Sequence, residues 1–253
     1  LLNKSTGVKV REKGGVGSDF EFSVNGLSGK QIKFFIDGIP LEILGSSMSL
    51  NNMPINLAES IEVYKGVVPV SLGSDALGGA VNIITNRSSK NYIDFSTSYG
   101  SFNTNKNAIS TQLVNKKTGI TLRLNGFTNY SKNNYKMKDV RGIIGDNIVD
   151  NKITIDETSE FITLDAKRFH NRYKSAFGQI ELGVSNKKYA DALFANFSYT
   201  GFDQQLQTGT DQRNVYGMAT KHGHSINTGI RYSKHDLFVN GFDVNSYWSY
   251  SKD

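Results

Sequence analysis

Cysteine is absent from the 253 residues of this chain, and proline and tryptophan are scarce, with three copies and one. Without cysteine, a disulfide scaffold and a Cys-ligated zinc or iron–sulfur centre are excluded. Long apolar runs are also missing, and nothing approaches the ~20 apolar residues of a membrane-spanning helix. A membrane is not excluded by this, because a barrel strand needs only ~9–11 residues and alternates apolar with polar side chains.

Glycine, phenylalanine and tyrosine are abundant, with 25, 15 and 12 copies. Such a composition is typical of many strands joined by turns. The net charge is +6, but Lys and Arg are scattered and form no run of five or six like charges. We therefore expect no nucleic acid among the partners. The chain begins with Leu1 rather than Met, so we expect its true N-terminus to be missing.

The pattern of the chain changes near Asn86–Asn91. Before this point, short strands are predicted at Gln31–Asp37, Ile61–Lys65 and Ala80–Thr85, with a short helical turn in Pro54–Ser60. The third strand is almost entirely apolar, which predicts burial on both faces. We predict a small α+β domain over residues 1–88.

Residues 89–253 are predicted to form long antiparallel strands of alternating polarity. The predicted strands are Tyr92–Phe102, Asn107–Asn115, Gly119–Tyr130, Ser175–Ser185, Ala192–Asp203, His224–Ser233 and Asp236–Tyr250. Short connectors alternate with long polar ones, Ser131–Lys174 and Gln204–Gly223; the first of these contains a possible short strand at Phe161–Leu164. Outer-membrane barrels show this asymmetry between short turns and long loops. This part is therefore predicted to be transmembrane β-barrel.

Three segments of the first region resemble a known family. Phe35–Leu41 reads FIDGIPL, Ser60–Gly66 reads SIEVYKG, and Leu72–Thr85 reads LGSDALGGAVNIIT. In order and spacing they are very similar to the plug domain of TonB-dependent outer-membrane receptors. The resemblance implies a plug inside a 22-stranded barrel of the bacterial outer membrane. It also implies substrate binding at the outer side and TonB as the energy-transducing partner, with its box not visible here.

The resemblance assigns roles to individual residues. The structural motif residues would be Asp37, Gly38, Glu62, Lys65, Gly66, Gly73, Gly78 and Gly79. In the family, the charged pair of the second segment contacts charges of the barrel wall, and Glu62 and Lys65 stand at those positions. Lys65 replaces the more usual Arg, which removes bidentate geometry. The candidate ligand-contact residues, on the plug's outward turns, are Ser28, Lys30, Gly45, Ser46, Ser47 and Met48.

The resemblance also implies that the chain is a fragment. Barrels of ~8 strands are filled by their own side chains, whereas plugged ones need ~22. About seven strands would leave exposed edges, so the isolated chain is expected to be insoluble. A soluble, cooperatively melting monomer would contradict this expectation.

Other signals carry little weight. His222 and His224 lie on one face of a predicted strand, but only Asp211 or Asp236 could add a ligand, so no metal site is predicted. Gly14–Gly17 lacks the Lys-Ser/Thr of a phosphate-binding loop. Neither a Ser-His-Asp arrangement nor a pair of carboxylates stands out, and we expect neither an enzyme nor a cofactor.

The leading hypothesis is uptake of a scarce nutrient: an iron chelate, a vitamin, a glycan or a peptide. Outer-membrane lipid and a small nutrient ligand would be the remaining partners. The main alternative is a soluble β-rich binding or adhesin module, in which the three plug-like segments are a coincidence. A receptor of the same family used mainly for signalling is a further alternative.

Overall fold

The fold was analysed in a computed structural model of the chain. The structure describes residues 5–44, 53–54, 57–69, 72, 78–85, 90–144, 148–149, 152–153, 160–207 and 217–253. The predicted sites at Gly45, Ser46, Ser47, Met48 and Gly73 lie outside these residues.

The first region contains two small sheets. Its strands are β1 (Val8–Glu12), β2 (Phe20–Val24), β3 (Leu27–Ser28), β4 (Ile32–Ile36), β5 (Ile39–Pro40), β6 (Ala58–Tyr64) and β7 (Gly79–Thr85). One sheet has the order β1-β2-β3 and the other β5-β4-β7-β6. All pairs are antiparallel except β4 with β7. We refer to this region as the plug.

The core of the plug lies where its two sheets meet. Val8, Phe22, Val24, Ile32 and Val81 form one buried apolar cluster. Residues 79–83 of β7 are all buried, so the predicted two-sided burial of this strand is confirmed. Apolar packing on both faces is the reason, because Val81 belongs to this cluster while Ala80, on the other face, packs with Phe35 and Leu72.

Parts of the plug differ from the sequence prediction. The helical turn predicted for Pro54–Ser60 is wrong at its end, because β6 already begins at Ala58. Strands β1 and β2 were not predicted. The described part of the plug contains strands and short 3-10 turns, at Gly29–Gln31 and Leu41–Leu44, but no α-helix. In the described residues, no helix is long and apolar enough to cross a membrane.

The second region forms one large antiparallel sheet of seven strands, which we call the wall. Its members are β8 (Tyr92–Gly100), β9 (Thr104–Val114), β10 (Ile120–Ser131), β15 (Tyr173–Lys187), β16 (Ala190–Gln205), β17 (Thr220–Lys234) and β18 (Val244–Lys252). Strands that follow one another in this list also pair with one another in the sheet. The sheet is open, with β8 and β18 at its edges.

Between β10 and β15 lie four further strands: β11 (Lys136–Ile144), β12 (Ile148–Val149), β13 (Lys152–Ile153) and β14 (Glu160–Lys167). They form two hairpin-like pairs, β11 with β14 and β12 with β13. The strand predicted at Phe161–Leu164 therefore exists and is longer. Its partner β11 lies in the part of Ser131–Lys174 that was predicted to be polar loop, so that prediction is wrong there.

The two ends of the wall differ. At one end, which we call the turn end, the connections are 115–119, 188–189 and 235–243. At the other, the loop end, they are 101–103, 132–172 and 206–219. The predicted alternation of short and long connections is thus present, except that the first connection at the loop end, 101–103, is also short. The last strand begins at Val244 rather than at the predicted Asp236.

Candidate functional site

The Asp37-Gly38 turn connects β4 to β5 in the four-stranded plug sheet. Asp37 and Gly38 have φ of +53° and +81°, a conformation that favours glycine at the second position. The Asp37 carboxylate accepts hydrogen bonds from the Thr85 backbone N–H at 2.9 Å and from the Thr85 hydroxyl at 2.6 Å. The motif aspartate therefore closes the end of the β4–β7 parallel pair.

Asn82 continues this polar connection across the sheet. Its side chain is buried, with 6% exposed. Asn82 Oδ1 accepts from the Gly38 N–H at 3.0 Å, and Nδ2 donates to Glu62 Oε2 at 3.0 Å. The Tyr64 hydroxyl donates to the same carboxylate oxygen at 2.9 Å, and this bond raises the pKa of Tyr64. Strands β4, β7 and β6 are thus linked by one chain of side-chain hydrogen bonds.

Lys65 and the motif glycines lie at the opposite end of β6. Lys65 Nζ donates to the carbonyl of Thr6, in the segment before β1. Gly79 has φ of +136°, and a Cβ there would stand 2.5 Å from the Tyr64 carbonyl oxygen. Gly66 also has a positive φ, +92°, whereas a Cβ on Gly78 would press against Gln31. In the described chain, the hydrogen bonds of Glu62 and Lys65 run to plug residues, so the predicted contact with wall charges stays a prediction.

A clasp joins the tip of the β1–β2 hairpin to the loop end of the wall. Asn133 Oδ1 accepts from the Val16 N–H at 3.0 Å, and Asn133 Nδ2 donates to the Val16 carbonyl at 2.8 Å. Gly17 has φ of +80°, and a Cβ there would overlap the Tyr173 ring. The glycine-rich segment Gly14–Gly17 therefore has a docking role that its lack of a phosphate-binding motif did not suggest.

Ser28 and Lys30 follow the β1–β2 hairpin, in β3 and in the 3-10 turn after it. The register pairs Val8 with Val24 at one end and Glu12 with Phe20 at the other. The turn of residues 13–19 connects the two strands at the Glu12–Phe20 end. At the Val8–Val24 end, the chain continues into β3, where Leu27 pairs with Val24. Both candidates are exposed but lie on the end of β2 away from the clasp. Their contact with a ligand stays a prediction.

The segment that follows β5 also packs against the wall. Leu44 and Leu57 form a buried cluster with Ala108 and Phe127, and Phe177 packs against it. Asn227 Nδ2 donates to the carbonyl of Ile43 at 2.9 Å. This side of the wall, which we call the inward face, therefore holds the plug by both apolar and polar contacts.

Ionic residues on the inward face form a buried cluster nearer the turn end. Arg123 donates to Gln112 Oε1 at 2.7 Å and to Glu181 Oε2 at 3.1 Å. Arg231 lies 3.7 Å from the same Glu181 oxygen, and both guanidinium groups lie over the Phe194 ring. These charged side chains are about one-tenth exposed. One carboxylate shared by two guanidinium groups leaves a net positive charge.

The opposite, outward face is apolar. The register aligns side chains of β10, β15, β16 and β17 in rows across the sheet. From the turn end the rows are Ile120, Val184, Leu193, Tyr232; Leu122, Leu182, Ala195, Ile230; Leu124, Ile180, Phe197, Thr228; and Gly126, Gly178, Tyr199, Ile226. Ile180, Leu182 and Ile230 are about half exposed. A soluble monomer rarely leaves an apolar surface that extends over four adjacent strands exposed to water.

His222 and His224 also point outward, at the loop end, where they pair with Asp203 and Gly201. Of the two proposed third ligands, Asp211 is outside the described residues and Asp236 lies beyond the other end of β17. Within the described ranges, no group of three His, Cys, Asp or Glu side chains could hold a metal ion.

Comparison with known families found a match for the first region. Residues 1–80 match the family described as the TonB-dependent Receptor Plug Domain. The first region is therefore similar to such plug domains. The chain is also similar to the vitamin B12 transporter BtuB of Vibrio vulnificus (strain CMCP6), with 32% identity over 88 residues. That match covers 35% of this chain and 14% of the transporter, so the chain spans a small part of this curated relative.

Solved structures of a transporter and of an import receptor share the fold of nearly the whole chain. The copper transporter OprC superimposes with a TM-score of 0.64 at 15% identity, covering 99% of this chain and 33% of that one. The open form of the ferric-catecholate import receptor Fiu from E. coli K12 gives 0.58 at 14% identity, covering 97% and 34%. At these identities the likeness concerns the fold, which extends from the plug through the wall.

Several residues of the site were not found from the sequence. Asn133 and Tyr173 flank a long connection, and nothing in their surroundings marks them as plug contacts. Arg123, Glu181 and Arg231 carried a usable signal, because each occupies an inward position of an alternating strand. Charges at such positions face the lumen of a barrel.

Proposed function

We propose that this chain is part of a bacterial outer-membrane receptor that takes up a scarce nutrient with energy supplied through TonB. The nutrient class is an iron chelate, a vitamin, a glycan or a peptide. Among the relatives, the names of two print a cargo of this range, vitamin B12 and ferric catecholate, while a third prints copper. Each of those cargoes belongs to the protein so named.

The observation that supports this proposal most directly is the two-faced wall. Its outward rows are apolar and exposed, and its inward rows are polar, as in Asn125, Gln179, Ser198 and Asn227. The apolar outward face is suited to contact with lipid. The polar inward face contacts the plug through the clasp, the Asn227 hydrogen bond and the apolar cluster around Leu44.

The open edges of the wall support a larger barrel. Seven strands leave the backbone groups on the outer sides of β8 and β18 without a strand partner within the described residues. Such edges are not tolerated in a bilayer. We propose that further strands close a 22-stranded barrel, with the loop end outside the cell and the turn end in the periplasm. On this proposal, residues 1–88 are plug and residues 89–253 are wall.

We further propose where the ligand binds. The 13–19 turn lies at the loop end because the clasp holds Val16 there, and it carries the exposed side chain of Lys13. Gly45–Met48 follow directly after Leu44, which packs on the inward face. These two segments, with Ser28 and Lys30 as weaker candidates, are proposed to contact the nutrient. The network of Asp37, Asn82 and Glu62 is proposed to be the part of the plug that rearranges when TonB pulls.

The proposal is tested by uptake in cells that produce the full-length receptor and lack their own receptors. Radiolabelled iron chelates and vitamin B12 are supplied to strains with and without TonB. We expect accumulation of one cargo class that depends on TonB. Location in the outer-membrane fraction is checked in parallel. Accumulation that is equal in the two strains, or a receptor found in the soluble fraction, would contradict the proposal.

Ligand contact is tested with a matched pair of variants. Combined substitution of Ser46, Ser47 and Met48 by alanine is expected to weaken binding of the cargo to cells. Combined substitution of Lys116 and Lys117 by alanine is the control, because these exposed residues lie in the 115–119 connection at the turn end of the wall. Unchanged affinity in the first variant would remove Gly45–Met48 from the site. A soluble adhesin-like module is disfavoured by the exposed apolar rows.

A further inference from the structure

A groove of about 510 Å³ lies on the outward face of the wall, near the loop end. It runs across β10, β15, β16 and β17, on the opposite side of the sheet from the plug. The nutrient pathway proposed above does not use this surface.

The groove exists because one row of the wall has small side chains. The register aligns the small residues Thr128, Ala176 and Gly201 in this row, which ends at His224 on β17. The row next to it on the turn-end side contains Tyr199, whose hydroxyl leans over Gly201: a Cβ on Gly201 would stand 3.0 Å from it. The groove is thus a depression on the loop-end side of the apolar rows, and the Tyr199 ring forms one of its sides.

The row beyond the groove is polar and charged. It consists of Tyr130, Lys174, Asp203 and His222, and all four line the groove. The Asp203 carboxylate is paired with Arg172 at 3.2 Å. Arg172 does not line the groove, and its positive charge offsets the negative charge of Asp203. Lys174 is exposed and supplies an ammonium group, while His222 and His224 add ring N–H donors. The rim therefore suits a phosphate group.

We propose that this groove binds a phosphorylated amphiphile of the outer leaflet of the membrane. Its phosphate group lies at Lys174 and His222, and an acyl chain follows Ala176 and Gly201 onto the apolar rows. The continuity between the charged rim and the apolar rows favours a lipid over free phosphate, because free phosphate gains nothing from the apolar surface. The inference rests on the proposed orientation of the wall in the outer membrane.

The test uses the purified full-length receptor in detergent, with lipid binding measured by native mass spectrometry. The probes are a diphosphorylated glycolipid, the same lipid without its phosphates, and inorganic phosphate. The unmodified receptor is expected to bind the phosphorylated lipid most tightly. Lys174→Ala should weaken that binding about fivefold, since a lysine near a membrane surface contributes about 1 kcal/mol to anionic lipid binding.

Two further variants separate the charge from the groove. Ala176→Leu fills the groove from an exposed position, and it should weaken binding of both lipid forms. Lys188→Ala removes an exposed lysine at the turn end and should change neither. Equal binding of the two lipid forms by the unmodified receptor would overturn the proposal. So would an unchanged affinity in Lys174→Ala, or binding of inorganic phosphate as tight as that of the lipid.

Failure of this inference can be distinguished from failure of the proposed function. TonB-dependent uptake of cargo is measured on the same three variants, and we expect it to be retained in all of them. A receptor that transports cargo but does not discriminate phosphorylated lipid would refute only the lipid site. A receptor that does not reach the outer membrane would refute the function on which the site depends.

Discussion

The clasp between Asn133 and Val16 leads to a quantitative prediction. Asn133 is buried, with 4% exposed, and its amide makes two hydrogen bonds to the Val16 backbone. Asn133→Ala removes both and leaves the Val16 N–H and carbonyl without this partner. An unsatisfied buried polar group costs about 1–3 kcal/mol. Since about 1.4 kcal/mol corresponds to a factor of ten, opening of the hairpin tip should become about 5- to 150-fold more frequent.

Hydrogen exchange of the Val16 amide in the full-length receptor measures this opening. We expect faster exchange at Val16 in Asn133→Ala, with little change in the strands of the wall. Gly17→Ala should produce a similar effect from the plug side, because its Cβ would overlap the Tyr173 ring at a φ of +80°.

The control is Asn171→Ala. Asn171 Nδ2 donates to the Asn133 carbonyl at 3.3 Å, so it belongs to the same loop region but does not bond the plug. Exchange at Val16 should stay near the native rate in this variant. An equal rate at Val16 in the native receptor and in Asn133→Ala would refute the reasoning, since the amide would then not hold the tip.

Three further predictions concern the wall, the plug core and the turn end. Glu181→Ala should lower the thermal unfolding temperature of the receptor, because it leaves Arg123 and Arg231 buried without their shared carboxylate. Breaking a buried ion pair costs about 3–5 kcal/mol. The control is Asp203→Ala, which removes an exposed pair with Arg172 and should change the unfolding temperature little. Gly79→Ala should reduce the yield of folded receptor, since its Cβ would stand 2.5 Å from the Tyr64 carbonyl oxygen, whereas Gly100→Ala, with open space around it, should be tolerated; equal yields would contradict the backbone argument. At the turn end, the His235 backbone N–H, followed by Lys234, lowers the pKa of Asp191, and the Asp191 carboxylate raises the pKa of His235. The Asp191 contribution to stability is present above its ordinary pKa and is lost as pH falls through the depressed value, while the His235 contribution is present below about pH 6.5 and is lost as pH rises through the raised value. NMR titration of His235 should therefore give a pKa above 6.5 that returns towards 6.5 in Asp191→Asn, and an identical pKa in both proteins would dismiss the pairing.

Much of this architecture follows from local patterns in the sequence. Alternation of polarity located all seven strands of the wall, because each strand must present one face to lipid and the other to a polar interior. The apolar run of Ala80–Thr85 predicted a strand buried on both sides, and it is the central partner of β4 and β6. The three plug-like segments predicted the family to which residues 1–80 are matched.

Local patterns did not predict the contacts that join the plug to the wall. Val16 and Asn133 are separated by 117 residues, and Asn227 and Ile43 by 184. Strands β1 and β2 do alternate in polarity, as VKVRE and FEFSV, but each is only five residues long and no strand was predicted there.

The sequence by itself determined where strands form and which of their faces is apolar, because both depend on the two-residue period of an extended backbone. Only the tertiary structure decided which row of side chains meets which. Register aligned Ala176 with Gly201 into a groove and brought Arg123 and Glu181 together on the inward face. It is set by pairing along whole strands, and a shift of one residue would move every side chain to the other face.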